Sequence, residues 1–91
     1  MDIKKIITLT INEFNDSQTE YEISNENNFL LFGQESSLDS LAIVNFLTKL
    51  EKNIYKNLSK EVDILNNIFS QNKDKITLSE LEQFLKENLK Q

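Results

Sequence analysis

The sequence predicts an all-α fold: a small four-helix bundle of three longer helices and one short one, with a long loop between helices 1 and 2. Three observations carry this expectation. Apolar residues recur at three- and four-residue spacing in separate stretches. The last stretch opens on a capping box. The chain contains no Pro and a single Gly to interrupt helices. Its 91 residues are enough for one modest core, so residues 1–91 are expected to form a single domain.

In the first helix, opened by Asp2, Ile3, Ile6, Ile7, Ile11 and Phe14 share one face, and the polar run "NDSQ" ends it. Residues 17–37 are polar and aperiodic apart from Phe29, Leu30, Leu31 and Phe32. They read as a long loop pinned to the core by that apolar knot, and length alone makes such a loop a candidate functional feature. The second helix is expected from about Ser40 to Ile54. There Ile43, Phe46, Leu47, Leu50 and Ile54 fall within an arc of about 100°, the width of a core-facing stripe. Leu41 and Val44 lie outside that arc, on the flank that carries Ser40, Thr48 and Glu51. A shorter amphipathic segment follows, with Leu58, Val62, Leu65, Ile68 and Phe69 apolar, although "VDIL" also suits extended backbone. "QNKDK" reads as exposed loop. In the last helix Thr77 and Glu80 form the capping box, and Leu78, Leu81, Phe84, Leu85 and Leu89 repeat at helical spacing. Lys86 and Lys90 sit toward its C-terminal end, where the helix dipole favours cations.

Composition narrows the function. Without Cys or His, the chain has neither a disulfide nor the usual zinc ligands, so its core rests on packing. Thiol nucleophiles, imidazole bases and Ser-His triads are equally unavailable, so an enzyme is not expected. A net charge of −5 opposes binding to nucleic acid or an anionic membrane, either of which calls for a basic patch. The N-terminal "MDIKKIITLTINEF" is polar on one side, unlike a signal peptide or a membrane span. A cytoplasmic, monomeric protein with protein partners is the expectation.

The most informative stretch is "SSLDSLAIVNFLTKLEK", residues 36–52. Asp and Ser are favoured at helix starts because a side-chain oxygen accepts an otherwise free N–H, so a purely structural role is the ordinary explanation. Ser40, however, falls in the first turn, where unpaired N–H groups and the positive end of the dipole favour a phosphate. Leu41 and Val44 beside it form either an apolar docking platform or a patch partly buried under the long loop. Together with Thr48 and Glu51 they define the expected partner-docking face.

"LDSLAIVNFLTKLEKNI" resembles the signature of acyl and peptidyl carrier proteins: Asp-Ser-Leu, an apolar helix, then Leu-Glu before a closing apolar residue. "ITLSELEQFLKENL" is similar to that family's last helix, and "FLLFGQESSLDSL" places an aromatic-Gly pair a few residues before the Asp-Ser-Leu, as some carriers do. The first helix matches only in length and amphipathicity. The resemblance implies a carrier of fatty acyl, polyketide, aminoacyl or other acyl groups, held as a thioester on 4′-phosphopantetheine. A phosphopantetheinyl transferase would install that group on Ser40 from coenzyme A, with Asp39 and Leu41 in its recognition surface. Acyl- or aminoacyl-activating ligases and acyl-transferring enzymes would be the other partners. Ser37 is a rival, but aligning it on the motif sets Glu51 where the pattern wants the apolar Ile54; Ser40 keeps the pattern in phase.

Two departures and two alternatives accompany the resemblance. Ala42, Asn45, Lys49 and Lys52 dilute the acidic character common in the second helix of fatty-acid carriers, leaving Asp39 and Glu51. The stretch from Ile54 to Thr77 is longer than in short carriers. "NKDKITLSELEQFL" superficially resembles half an EF-hand, but the first, third and fifth loop positions would be Phe69, Gln71 and Lys73, and Asp74 would replace the required Gly. The main alternative is a small helical interaction module or dimer in which Ser40 only caps its helix; a degenerate carrier kept as an unmodified scaffold is another.

Overall fold

The computed structural model of the chain describes residues 2–17, 20–69 and 75–89. Four helices dominate it: α1 (Ile3–Ser17), α2 (Ser40–Leu58), α3 (Ile64–Phe69) and α4 (Leu78–Leu89). A two-stranded antiparallel sheet joins β1 (Leu30–Phe32) to β2 (Ile76–Thr77). The protein is thus small and mostly helical, and the sheet is an addition to the all-helical expectation.

Helix α1 begins after Asp2, whose Oδ1 accepts the Lys5 N–H at 2.8 Å. All five apolar residues assigned to its core face are buried, and Thr10 joins them. Helix α2 buries Ala42, Ile43, Phe46, Leu47, Leu50, Asn53 and Ile54. Phe14 of α1 and Phe46 of α2 meet edge to face, with centroids 5.9 Å apart, the arrangement that ring quadrupoles favour. Asn53, polar but buried, is satisfied across the same interface: its Nδ2 donates to Thr10 Oγ1 at 2.9 Å and to Glu13 Oε1 at 2.8 Å. Thr10 in turn donates to the Ile6 carbonyl.

Helix α2 extends a turn past the expected end at Ile54 and stops at Leu58. Ser59 then adopts the left-handed conformation (φ 55°, ψ 35°), and its N–H returns to the Tyr55 carbonyl at 2.9 Å. Leu58 therefore closes α2 instead of belonging to the third segment. Residues 61–63 are not helical, whereas Ile64 and Leu65, the second half of "VDIL", begin α3, so no strand forms there. Helix α3 starts at Ile64, with Asp63 Oδ1 accepting the Asn66 N–H at 3.2 Å.

The capping box of α4 is formed in both directions: Thr77 N–H donates to Glu80 Oε1 at 3.0 Å, and Glu80 N–H to Thr77 Oγ1 at 3.3 Å. The Leu78 and Ser79 amides donate to the Phe29 and Asn27 carbonyls, each at 3.0 Å, so the start of α4 is closed by the long connection. Leu78, Leu81, Leu85 and Leu89 are buried, whereas Phe84 is half-buried. Lys86 pairs with Glu82 at 2.9 Å, and Lys60, from the α2–α3 connection, donates to the Leu89 carbonyl at 2.7 Å. Lys90 and residues 71–74 of the expected exposed loop lie outside the described residues, as does part of the EF-hand-like stretch.

The 17–37 connection is tied down along its length. The Asn15 side chain exchanges two bonds with the backbone of Ile23, at 2.8 and 3.0 Å, and the Ile23 side chain is buried in the core. The expected knot around Phe29–Phe32 packs on the core with Leu31 fully buried, but it does so as β1 paired with β2. Gly33 then turns the chain at φ 135°, a conformation that only a residue without Cβ adopts readily.

Asn53→Ala should lower unfolding stability by about 2 kcal/mol, because Thr10 and Glu13 lose a buried donor and a cavity replaces the amide. Urea denaturation of the two proteins measures the difference, and an unchanged midpoint would contradict a stabilising role for the bridge.

Candidate functional site

The three serines of "SSLDS" have distinct surroundings. Ser36 is structural: its Oγ lies 3.1 and 2.9 Å from the Leu30 and Leu31 carbonyls, to which it donates, and it accepts the Leu38 N–H at 3.1 Å. It thereby latches the end of β1 to the approach of α2. Ser37 is exposed in a bend. Ser40 is the first residue of α2 and is exposed, with no hydrogen bond to its hydroxyl among the described residues.

The cap of α2 is Asp39. Its backbone is extended (φ −87°, ψ 175°) and its Oδ1 accepts the Ala42 N–H at 2.8 Å, the reach of an N-cap to the third helical residue. This corrects the notion that Ser40 caps the helix, because the Asp39 carboxylate already takes that position. The Ile43 N–H bonds the Asp39 carbonyl at 3.1 Å. The amides of Ser40 and Leu41 consequently have no acceptor within the helix, in contrast to the first amides of α4. A free alcohol thus stands at the electropositive end of a 19-residue helix.

Tyr21 was not anticipated. Its hydroxyl donates to Asp39 Oδ2 at 3.0 Å, so both carboxylate oxygens are engaged. The phenol is pushed above its ordinary range, first by this hydrogen bond, then by the Asp39 charge, then by desolvation and by the Glu20 charge. No sequence signal connects residues 18 positions apart in an aperiodic loop. Beside this pair lies a shallow depression of about 240 Å³, lined by Glu20, Tyr21, Asp39, Leu41, Ala42 and Asn45 together with Ser17.

The expected docking face divides. Leu41 is 69 % exposed and Val44 37 %, so Leu41 is open to solvent, whereas Val44 is partly covered, as the alternative explanation allowed. Thr48 is half-buried. Glu51 is turned inward: its Oε2 accepts the Ile64 N–H at 2.8 Å and the Leu65 N–H at 3.3 Å, capping α3 from 13 residues upstream. It also borders an open groove of about 790 Å³ with Lys52, Tyr55, Glu61, Val62 and Asp63.

Among the described residues, no three acidic side chains are grouped so as to hold a metal ion, and no helix is long and apolar enough to cross a membrane. No family model matches the chain, and comparison with curated proteins and with solved structures likewise gives no match. Any functional assignment therefore stands on the chain's own residues.

Glu51→Ala should destabilise the protein by about 1 kcal/mol and speed hydrogen exchange selectively at the Ile64 and Leu65 amides, whereas Glu51→Gln, which keeps an acceptor, should do much less. Exchange measured residue by residue tests this; uniform acceleration across the chain would rule out a local cap.

Proposed function

We propose that the chain is a stand-alone acyl or aminoacyl carrier, an acyl-carrier-like four-helix bundle bearing 4′-phosphopantetheine on Ser40. The observation that carries this proposal is the exposed, unengaged Ser40 hydroxyl at the start of α2, immediately followed by the exposed Leu41. The motif phase that singled out Ser40 over Ser37 adds to it.

The residues present fit the group. Attachment joins the Ser40 oxygen to the pantetheine-bearing phosphorus of coenzyme A. The bond from that phosphorus to the neighbouring phosphate breaks, adenosine 3′,5′-bisphosphate leaves, and the serine proton passes to the transferase or solvent. The resulting phosphodiester is an anion, and the free amides and dipole at the start of α2 tolerate one there. Asp39, the adjacent acid, has both oxygens directed at donors of the protein itself. When bound, the arm supplies a thiol that holds the acyl group as a thioester.

The chain then contributes a rigid attachment point and a surface to grip, while catalysis belongs to its partners: a phosphopantetheinyl transferase, an acid-activating ligase and acyl-transferring enzymes in the cytoplasm. Tethering raises the effective concentration of the cargo at each docked enzyme. Leu41 and Val44 provide the apolar part of that surface. Their exposure equally favours a second reading, an unmodified interaction module that docks or dimerises through α2.

Incubation with coenzyme A and a promiscuous transferase separates the two. The intact chain should gain the mass of one phosphopantetheine and become thiol-reactive; because the chain has no Cys, any new thiol belongs to the cofactor. Ser40→Ala should abolish both changes and Ser37→Ala neither. A wild-type chain that stays unmodified would favour the interaction module, and modification surviving Ser40→Ala would refute the site.

A further inference from the structure

We infer that Tyr21 is a positioning residue for the modification of Ser40, acting through Asp39; this rests on the carrier proposal and deepens it. Asp39 is the immediate neighbour of Ser40, and its carboxylate does two things at once. Oδ1 caps α2 by accepting the Ala42 N–H at 2.8 Å, and Oδ2 accepts the Tyr21 hydroxyl at 3.0 Å. Two donors on two different segments fix a carboxylate that either one alone would leave free to rotate about its terminal bond.

Tyr21 is itself held. It lies two residues from Ile23, whose N–H and carbonyl both bond the Asn15 amide of α1, and its ring packs at the edge of the core. The chain of contacts therefore runs from α1 through the connection to the cap of α2, and the last link is a single hydroxyl.

The orientation matters because a polyanionic donor must approach Ser40. A carboxylate swinging freely beside the acceptor hydroxyl would repel the incoming phosphates and compete for the free Ser40 and Leu41 amides. With its oxygens engaged by Tyr21 and Ala42, the charge is drawn toward donors of the protein. Glu20 and Asp39 are the titratable groups bordering the depression around Tyr21, so among the described residues no cation there substitutes for the phenol.

Tyr21→Phe removes one oxygen and keeps the ring. Transferase kinetics should show kcat/KM for this variant reduced by a factor on the order of ten. An Ile6→Val core variant, assayed at a temperature where all proteins are folded, should match the wild type. A second readout follows the phenol alone. The chain has no Trp and only two Tyr, so in a Tyr55→Phe background Tyr21 is the sole tyrosine absorbing chromophore. Asp39→Ser, which retains a capping oxygen but is too short to reach the phenol, should move the Tyr21 titration midpoint down toward about 10, the ordinary value. The inference is overturned if Tyr21→Phe is modified as fast as wild type, if Ile6→Val is slowed equally, or if Asp39→Ser leaves the midpoint in place. A wild-type chain that accepts no phosphopantetheine overturns the carrier proposal itself and the inference with it, an outcome distinct from the other three.

Discussion

The contact between Phe14 and Phe46 sets the rotation of α2 about its own axis, and most of what the molecule presents to solvent follows from that angle. The rings are perpendicular within a few degrees, at 88°, and both side chains are completely buried. Successive helical residues are about 100° apart, so advancing α2 by one residue would withdraw Phe46 and turn the opposite flank inward. Asn53, two turns further along, pins the same angle with directional bonds to Thr10 and Glu13. A purely apolar interface tolerates small rotations; a buried amide with two specified acceptors does not. Leu41 and Val44 face outward because the other side of the helix is fixed so firmly.

The connection from α1 to α2 converts this rotational constraint into a defined helix start. It is anchored at Ile23 by Asn15, at Tyr21 by Asp39, and at Ser36 by the end of β1. These bonds mostly satisfy backbone groups that a long loop would otherwise have to leave to water. The connection also supplies carbonyls that accept from the first amides of α4. One segment thus completes the beginning of the last helix while leaving Ser40 and Leu41 at the beginning of α2 without such acceptors. The proposed attachment point exists where the loop stops closing off amides.

The helices were legible because their apolar residues keep a 3.6-residue period, and the exposure of Leu41 was legible as its departure from that period. The Thr77–Glu80 box was readable for a related reason: both partners lie within one turn. Features that depend on distant partners were not. The apolar Phe29–Phe32 run announced burial, but three residues cannot reveal that they pair with Ile76 and Thr77 more than 40 positions later. Helix α2 outlasts its apolar stripe because Ser59 accepts a left-handed turn, which no serine advertises. Glu51 looked like a surface acid because the amides it caps belong to another element. At the candidate site motif phase singles out Ser40 as the proposed attachment residue, whereas the division of labour in which Asp39 caps and Tyr21 holds Asp39 depends on a contact between residues 18 positions apart.

The inward turn of Glu51 also limits how a partner can use α2. Past the second turn the helix surface is shared with the α2–α3 connection, and the groove there sets Glu51, Glu61 and Asp63 against Lys52 around the exposed ring of Tyr55. The N-terminal two turns, by contrast, offer Leu41, Val44 and the neutral Asn45, all exposed. Under the proposed function, an enzyme reaching for Ser40 would meet an apolar contact next to the hydroxyl and a predominantly acidic one about a helix half-length away. Apolar contact near the reacting group supplies affinity without competing for the phosphate, and charge farther along supplies orientation and encounter rate. With the acidic cluster set back from Ser40, mostly on the α2–α3 connection, long-range attraction and local chemistry would act on separate parts of the surface, and a partner recognising both would be restricted to one direction of approach along α2.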